Sequence, residues 1–173
     1  MIEQTKKKLR EAQFFHGHLI RESERFIRPE PEAFDFYLSA FLSAARSITF
    51  ALQAEEKKKY DGWFSSWRAS LTQEEQNLLR FMKDQRNAEL KTLGAETVTS
   101  VEFVPISELR QEQHSHPAYG LHEFSPPWTE RAMVGVAVSR FQIEGSAAKV
   151  MEACTQYLRL CERLVQDFIS AHS

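Results

Sequence analysis

Four groups of side chains in this 173-residue sequence have types and spacings that suggest chemistry. Arg86, Asn87 and Lys91 lie on one probable helix, FMKDQRNAELKTLG. Arg86 interrupts an otherwise apolar stripe made by Leu79, Met82, Leu90 and Leu93. A permanent cation in such a stripe needs an acceptor, because an unpaired charge is costly to bury. Asn87 and Lys91 are four residues apart and are neighbours on a helix surface. Arg46 raises the same question in FLSAARSITFAL, where it sits beside Leu42, Thr49 and Phe50. Two arginines on the apolar faces of neighbouring helices would suit a phosphate or carboxylate, since guanidinium binds both bidentately. The competing explanation is structural. Each guanidinium has its own acid on a neighbouring helix, or its stem covers apolar surface while the head reaches water. For Arg46 the structural account comes first.

His114, His116 and His122 lie in QEQHSHPAYGLHEFSPPW, a loop-like stretch with three prolines. In extended chain His114 and His116 would point to one side, with His122 or Glu123 as a third ligand. No strong zinc spacing is present, so the expectation is an exposed loop and no metal. His16 falls on an apolar helix stripe and is expected to be a satisfied core histidine. Cys154 and Cys161 share a helix face two turns apart. That is too far for a disulfide within the helix, and they read as small buried hydrophobes.

These residues sit on a mainly helical framework. The sequence predicts helices from Glu3 to about Arg28, from Glu32 to about Lys58, from the T-x-x-E capping box at Thr72–Glu75 to about Leu93, and from Ser146 onward. YDGWFSSWRAS reads as a short aromatic connector. Its Trp63, Phe64 and Trp67 would serve core packing or, in a pure interaction protein, an interface. The second helix is apolar on several sides, so it is central or faces a second subunit. Residues about 95–144 are richer in β-branched types. The expectation is one domain over 1–173, an antiparallel four-helix bundle with a β-rich insertion between helices 3 and 4.

Net charge is -2, with 42% hydrophobic and 27% charged residues, which gives no broad basic footprint for nucleic acid. No apolar run is long enough to span a bilayer, and MIEQTKKKLREAQ has no apolar stretch after its lysines. A cytoplasmic protein without membrane association is expected.

The helical pattern with Arg-Asn on the third helix resembles the HEPN family, whose commonest motif is R-N-x-x-x-H. Arg86 and Asn87 match, Ala88, Glu89 and Leu90 fill the spacer, and Lys91 stands where the motif has His. The likeness covers roughly residues 3–94 and 146–172. It implies a homodimer in which Arg and His cleave RNA without metal. A solvated lysine, with a pKa near 10.4, is a poor base at neutral pH. The resemblance therefore implies a degraded catalytic site (Arg86, Asn87, Lys91) and a non-catalytic protein. Such a protein would bind a partner or an anionic, nucleotide-like ligand through Arg46 and Arg86, with no cofactor. A metal-independent endoribonuclease with a variant site is the alternative. A purely structural or interaction protein is the third.

Overall fold

In a computed structural model, residues 2–24, 32–91, 97–105, 133–141 and 149–173 are described, with backbone alone for 88–91 and for the two strands. The elements are α1 (Glu3–Ser23), α2 (Ala33–Glu55), α3 (Lys57–Ser70), α4 (Gln73–Lys91), β1 (Thr97–Pro105), β2 (Met133–Phe141) and α5 (Val150–His172).

The four-helix bundle with a β-rich insertion between its third and fourth helices is corrected. Five helices are present among the described residues, because the aromatic connector is a helix of its own, α3. The strands, nine residues each, follow the fourth helix and pair as a two-stranded sheet. They occupy only part of residues 95–144, and the rest of that stretch lies outside the described residues. The chain divides into two compact units. One comprises Met1–Val98 with Ser139–Ser173, and the other Thr99–Val138.

α2 also ends earlier than its sequence pattern suggests. Glu56 leaves helical geometry at φ -136 and ψ 46, and α3 begins at Lys57. Lys57, Lys58 and Lys59 therefore sit at a helix start, where the dipole disfavours cations. Lys57 is offset by an ion pair to Asp61 and Lys59 by one to Glu56. α1 likewise ends at Ser23, with Glu24 as its C-cap, short of the expected Arg28, and the Ser146 cap lies outside the described residues.

The break at Glu56 accompanies a contact that local pattern cannot show. α1 has no side-chain cap from its own N-cap residue. The Glu55 carboxylate at the end of α2 takes over that role. It accepts hydrogen bonds from the amides of Gln4 (2.8 Å) and Thr5 (2.9 Å) and from the Thr5 hydroxyl (2.7 Å). The start of α1 thus meets the end of α2. His16 meets Phe41 and His18 stacks on Tyr37 further along, so the two helices run antiparallel. The core lies among Leu19, Leu38, Phe41, Leu42, Ile48, Leu52 and the α5 stripe of Cys154, Tyr157, Cys161 and Leu164. α3 docks on α5 through Trp63 against Phe168 (5.2 Å between rings) and Trp67 Nε1 donating to Asp167 (2.9 Å). The Thr72 capping box forms: the Glu75 amide donates to the Thr72 hydroxyl, and the Thr72 amide to the Glu75 carboxylate.

Partial burial works to raise the Glu55 carboxyl, but the Gln4 and Thr5 hydrogen bonds outweigh it and hold it below its ordinary 4.5. A carboxyl lowered on folding stabilises above its unfolded value and loses that contribution as pH falls through the lower folded value. Glu55→Ala is therefore expected to cost about 1 kcal/mol at neutral pH in urea unfolding, the usual worth of a cap. The difference from wild type should shrink below pH 4.5. A constant difference down to acid pH would remove Glu55 from this role.

Candidate functional site

Arg86 lies on α4 and is half-buried, as is Asn87 beside it; of Lys91 only the helical backbone is described. The Arg86 Nε is buried with no hydrogen-bond partner, and no ion pair to Arg86 occurs among the described residues. The structural acid that would explain a core arginine is thus missing among the described residues. A buried donor without an acceptor costs roughly 1–3 kcal/mol.

Arg46 is held differently. Its Nη1 donates to the Thr49 hydroxyl at 2.9 Å, and its guanidinium stands 4.3 Å from the centre of the Phe50 ring. The partners are a hydroxyl and a π-face of its own helix in place of an acid. Arg46 also acts electrostatically on Tyr60, Tyr157 and Cys161, where it works to lower their pKa values. Burial wins at all three. It pushes Tyr60 and the Cys161 thiol up to about 12, and Tyr157 well above its usual value. Cys154 is raised by burial too. Both cysteines are free and buried, so their thiols stay protonated and poorly nucleophilic near neutral pH. Among the described residues no hydrogen-bond partner is shared by Arg46 and Arg86.

His16 is a buried core histidine bridging α1 to α5. Its Nε2 is 2.9 Å from the Thr155 hydroxyl oxygen, and that hydroxyl donates its one hydrogen to the Met151 carbonyl at 2.8 Å. Nε2 must then carry the proton and donate it, which assigns the tautomer. Burial lowers the His16 pKa, and the Glu162 carboxylate opposes that only in part. His114, His116 and His122 lie outside the described residues, and no group of three or more His, Cys, Asp or Glu that could hold a metal occurs among the described ones.

A feature missed in the sequence is an open groove of about 390 Å³ between α4 and α5. Glu74, Glu75, Leu78, Gln156, Arg159, Leu160 and Arg163 line it. Arg163 pairs with Glu75 at 2.8 Å, and that hydrogen bond is the main reason the Glu75 carboxyl is lowered. The same glutamate closes the capping box, so this ion pair ties α5 to the start of α4. Neither Arg46 nor Arg86 lines the groove. The signal was present as T-x-x-E, but its long-range partner could not be read from local spacing.

The family model described as bacteriophage lambda protein ea47 matches residues 3–111. The chain belongs to that family. The match overturns the HEPN resemblance, which rested on an Arg-Asn pair and a helical order that many bundles share. Without the motif histidine those features carried no catalytic geometry. The family match spans α1 to α4 and β1, and so contains both arginines in question. No curated protein matches the chain, and no solved structure does. No helix among the described residues is long and apolar enough to cross a membrane.

Two outcomes follow from these surroundings. Arg86→Met should fold and gain about 1 kcal/mol in urea unfolding, because it removes a buried orphan donor and keeps the apolar stem. Loss of stability would mean that the arginine has a structural partner. A histidine lowered on folding also costs stability as pH falls below its ordinary 6.5, since only the unfolded chain takes up the proton. The melting temperature should fall between about pH 7.5 and 5.5, and His16→Gln should make that slope shallower. An unchanged slope would assign the dependence elsewhere.

Proposed function

We propose that this chain is a non-catalytic helical binding protein that holds an anionic group, a phosphate or a carboxylate, against Arg86. The observation that carries this is the Arg86 Nε, buried and without an acceptor. A buried Nε without an acceptor, on a guanidinium with no ion pair among the described residues, lowers the stability of the free chain. A ligand oxygen would supply what the protein does not. Residues that cost stability in the free state and gain a partner in the bound state are the usual signature of function over stability.

Asn87, half-buried next to it, adds a neutral donor and acceptor. A net charge of -2 favours one small anionic or nucleotide-like ligand over a long RNA, which draws much of its affinity from many cationic contacts. Arg46 is left out of the site, because Thr49 and Phe50 already engage it.

Thermal unfolding with increasing inorganic phosphate, and separately with adenosine monophosphate, tests this. Wild type should rise in melting temperature with ligand concentration, as mass action requires. Arg86→Met should start higher and stay flat. Equal ligand-dependent rises in both proteins would show that Arg86 is not where the anion binds.

A further inference from the structure

We infer that the outward face of α2 is an interface for a second copy of this chain, packed antiparallel across a twofold axis near Ser43. The inference goes beyond anion binding and does not depend on Arg86.

α2 buries Phe34, Leu38, Phe41, Leu42, Ala44, Ala45, Ile48 and Leu52. At about 100° per residue, the opposite side of the helix carries Phe36, Ala40, Ser43, Ser47, Phe50 and Ala54. Their spacing of 4, 3, 4, 3 and 4 is the repeat of a helix–helix seam. Solvent-facing helix sides ordinarily carry charge, and this stripe has none over its whole length. Phe36 is 60% and Phe50 51% exposed. Between them Ala40, Ser43 and Ser47 are only partly exposed and small. The Ser47 hydroxyl already donates to the Ser43 carbonyl at 2.7 Å, so covering it leaves that donor satisfied.

The two phenylalanines of the stripe are placed symmetrically about Ser43, which points to a second copy as its occupant. Phe36 is seven residues before Ser43 and Phe50 seven after it. A twofold axis perpendicular to the helix at Ser43 places Phe36 of one copy opposite Phe50 of the other, and the reverse, as an isologous contact requires. The small residues then meet at the crossing, where backbones can approach closely, and the rings fill the space where the helices diverge. The stripe itself carries no charge, and the Arg46 guanidinium borders it by standing against the Phe50 ring.

Phe14 of α1, 59% exposed, widens the patch through its ring contact with His18, which stacks on Tyr37 beside Phe36. Three half-exposed phenylalanines leave on the order of 300 Å² of aromatic surface in water on each copy. A stable interface needs roughly 800 Å² per partner. A seam about 27 Å long, with its small residues and exposed backbone, can provide the difference.

Sedimentation equilibrium of the full chain up to about 100 µM should show a monomer–dimer equilibrium. Ser47→Glu brings two like charges close to the axis and should weaken dimerisation more than tenfold, with helical circular dichroism unchanged. Ser43→Cys should form a covalent dimer on oxidation. Ser65→Cys, on the exposed side of α3, should not, and buried Cys154 and Cys161 cannot compete. A wild-type chain that stays monomeric would hand the face to a different protein and overturn the inference. A dimer that ignores Ser47→Glu, or that Ser43→Cys fails to cross-link, would place the interface elsewhere and overturn it equally.

Discussion

The carboxylate of Glu55 on the first turn of α1 is the contact from which the helical unit takes its register. Helix starts leave several amides without partners, and α1 supplies no side chain of its own for them. Glu55 reaches across from α2 to accept two of those amides and a hydroxyl. That pins the start of one helix to the end of the other, and the antiparallel pairing of α1 and α2 follows. It also places a carboxylate where the α1 dipole favours one. The adjoining residue, Glu56, departs from helical geometry, so the chain turns there into α3. α3 then carries its aromatic side to Phe168 and Asp167 of α5. Glu75 repeats the device at the other end, capping α4 while holding Arg163 of α5. Two glutamates, each joining a helix start to a second helix, fix how the parts meet around the core.

The two arginines that stand out in the sequence have opposite fates, and the difference comes from what lies within reach. Arg46 finds the Thr49 hydroxyl one turn on and the Phe50 ring next to it, so its charge is accommodated within α2. Arg86 has an apolar stripe on its own helix, a buried Nε without an acceptor and no ion pair among the described residues. Equal spacing and equal chemistry in the sequence thus produced one satisfied and one unsatisfied cation. In the proposed function it is the unsatisfied one that a ligand oxygen would meet.

Much of the helical order is visible in local patterns. The T-x-x-E box, the stripe of α5 and the buried character of His16, Cys154 and Cys161 all follow from periodicity, which depends on neighbours within a turn or two. Patterns of that kind fail where a long-range contact decides. The break at Glu56 is invisible in EEKKK, a run that would suit a helix end just as well. The aromatic connector carries Tyr60, Trp63, Phe64 and Trp67 at helical spacing, but over too short a run to be told from a connector until Trp63 and Trp67 are seen on α5. Arg86 could be flagged but not resolved, since the presence or absence of an acid on another helix is a tertiary fact. The family resemblance failed for a related reason. A two-residue match constrains chemistry only when the third member is present, and Lys91 replaced it.

α2 combines a tightly packed inner side with an apolar outer one. Its inner side is filled by Phe41, Leu42 and Ile48, none more than 1% exposed. A helix that contributed only to this core would carry charge outward, as α1 does with Lys7, Arg10 and Arg21. α2 instead presents rings and small residues to water. Keeping such a face exposed forgoes burial energy of about 25 cal/mol per Å². It also confers no solubility in return, so the free chain gains nothing from the choice. The composition of the outer face makes sense once another surface covers it, just as the orphan Nε of Arg86 makes sense once an oxygen meets it. Both features are costs in the isolated chain that binding would remove, and they lie on different helices, so the two contacts can be made independently.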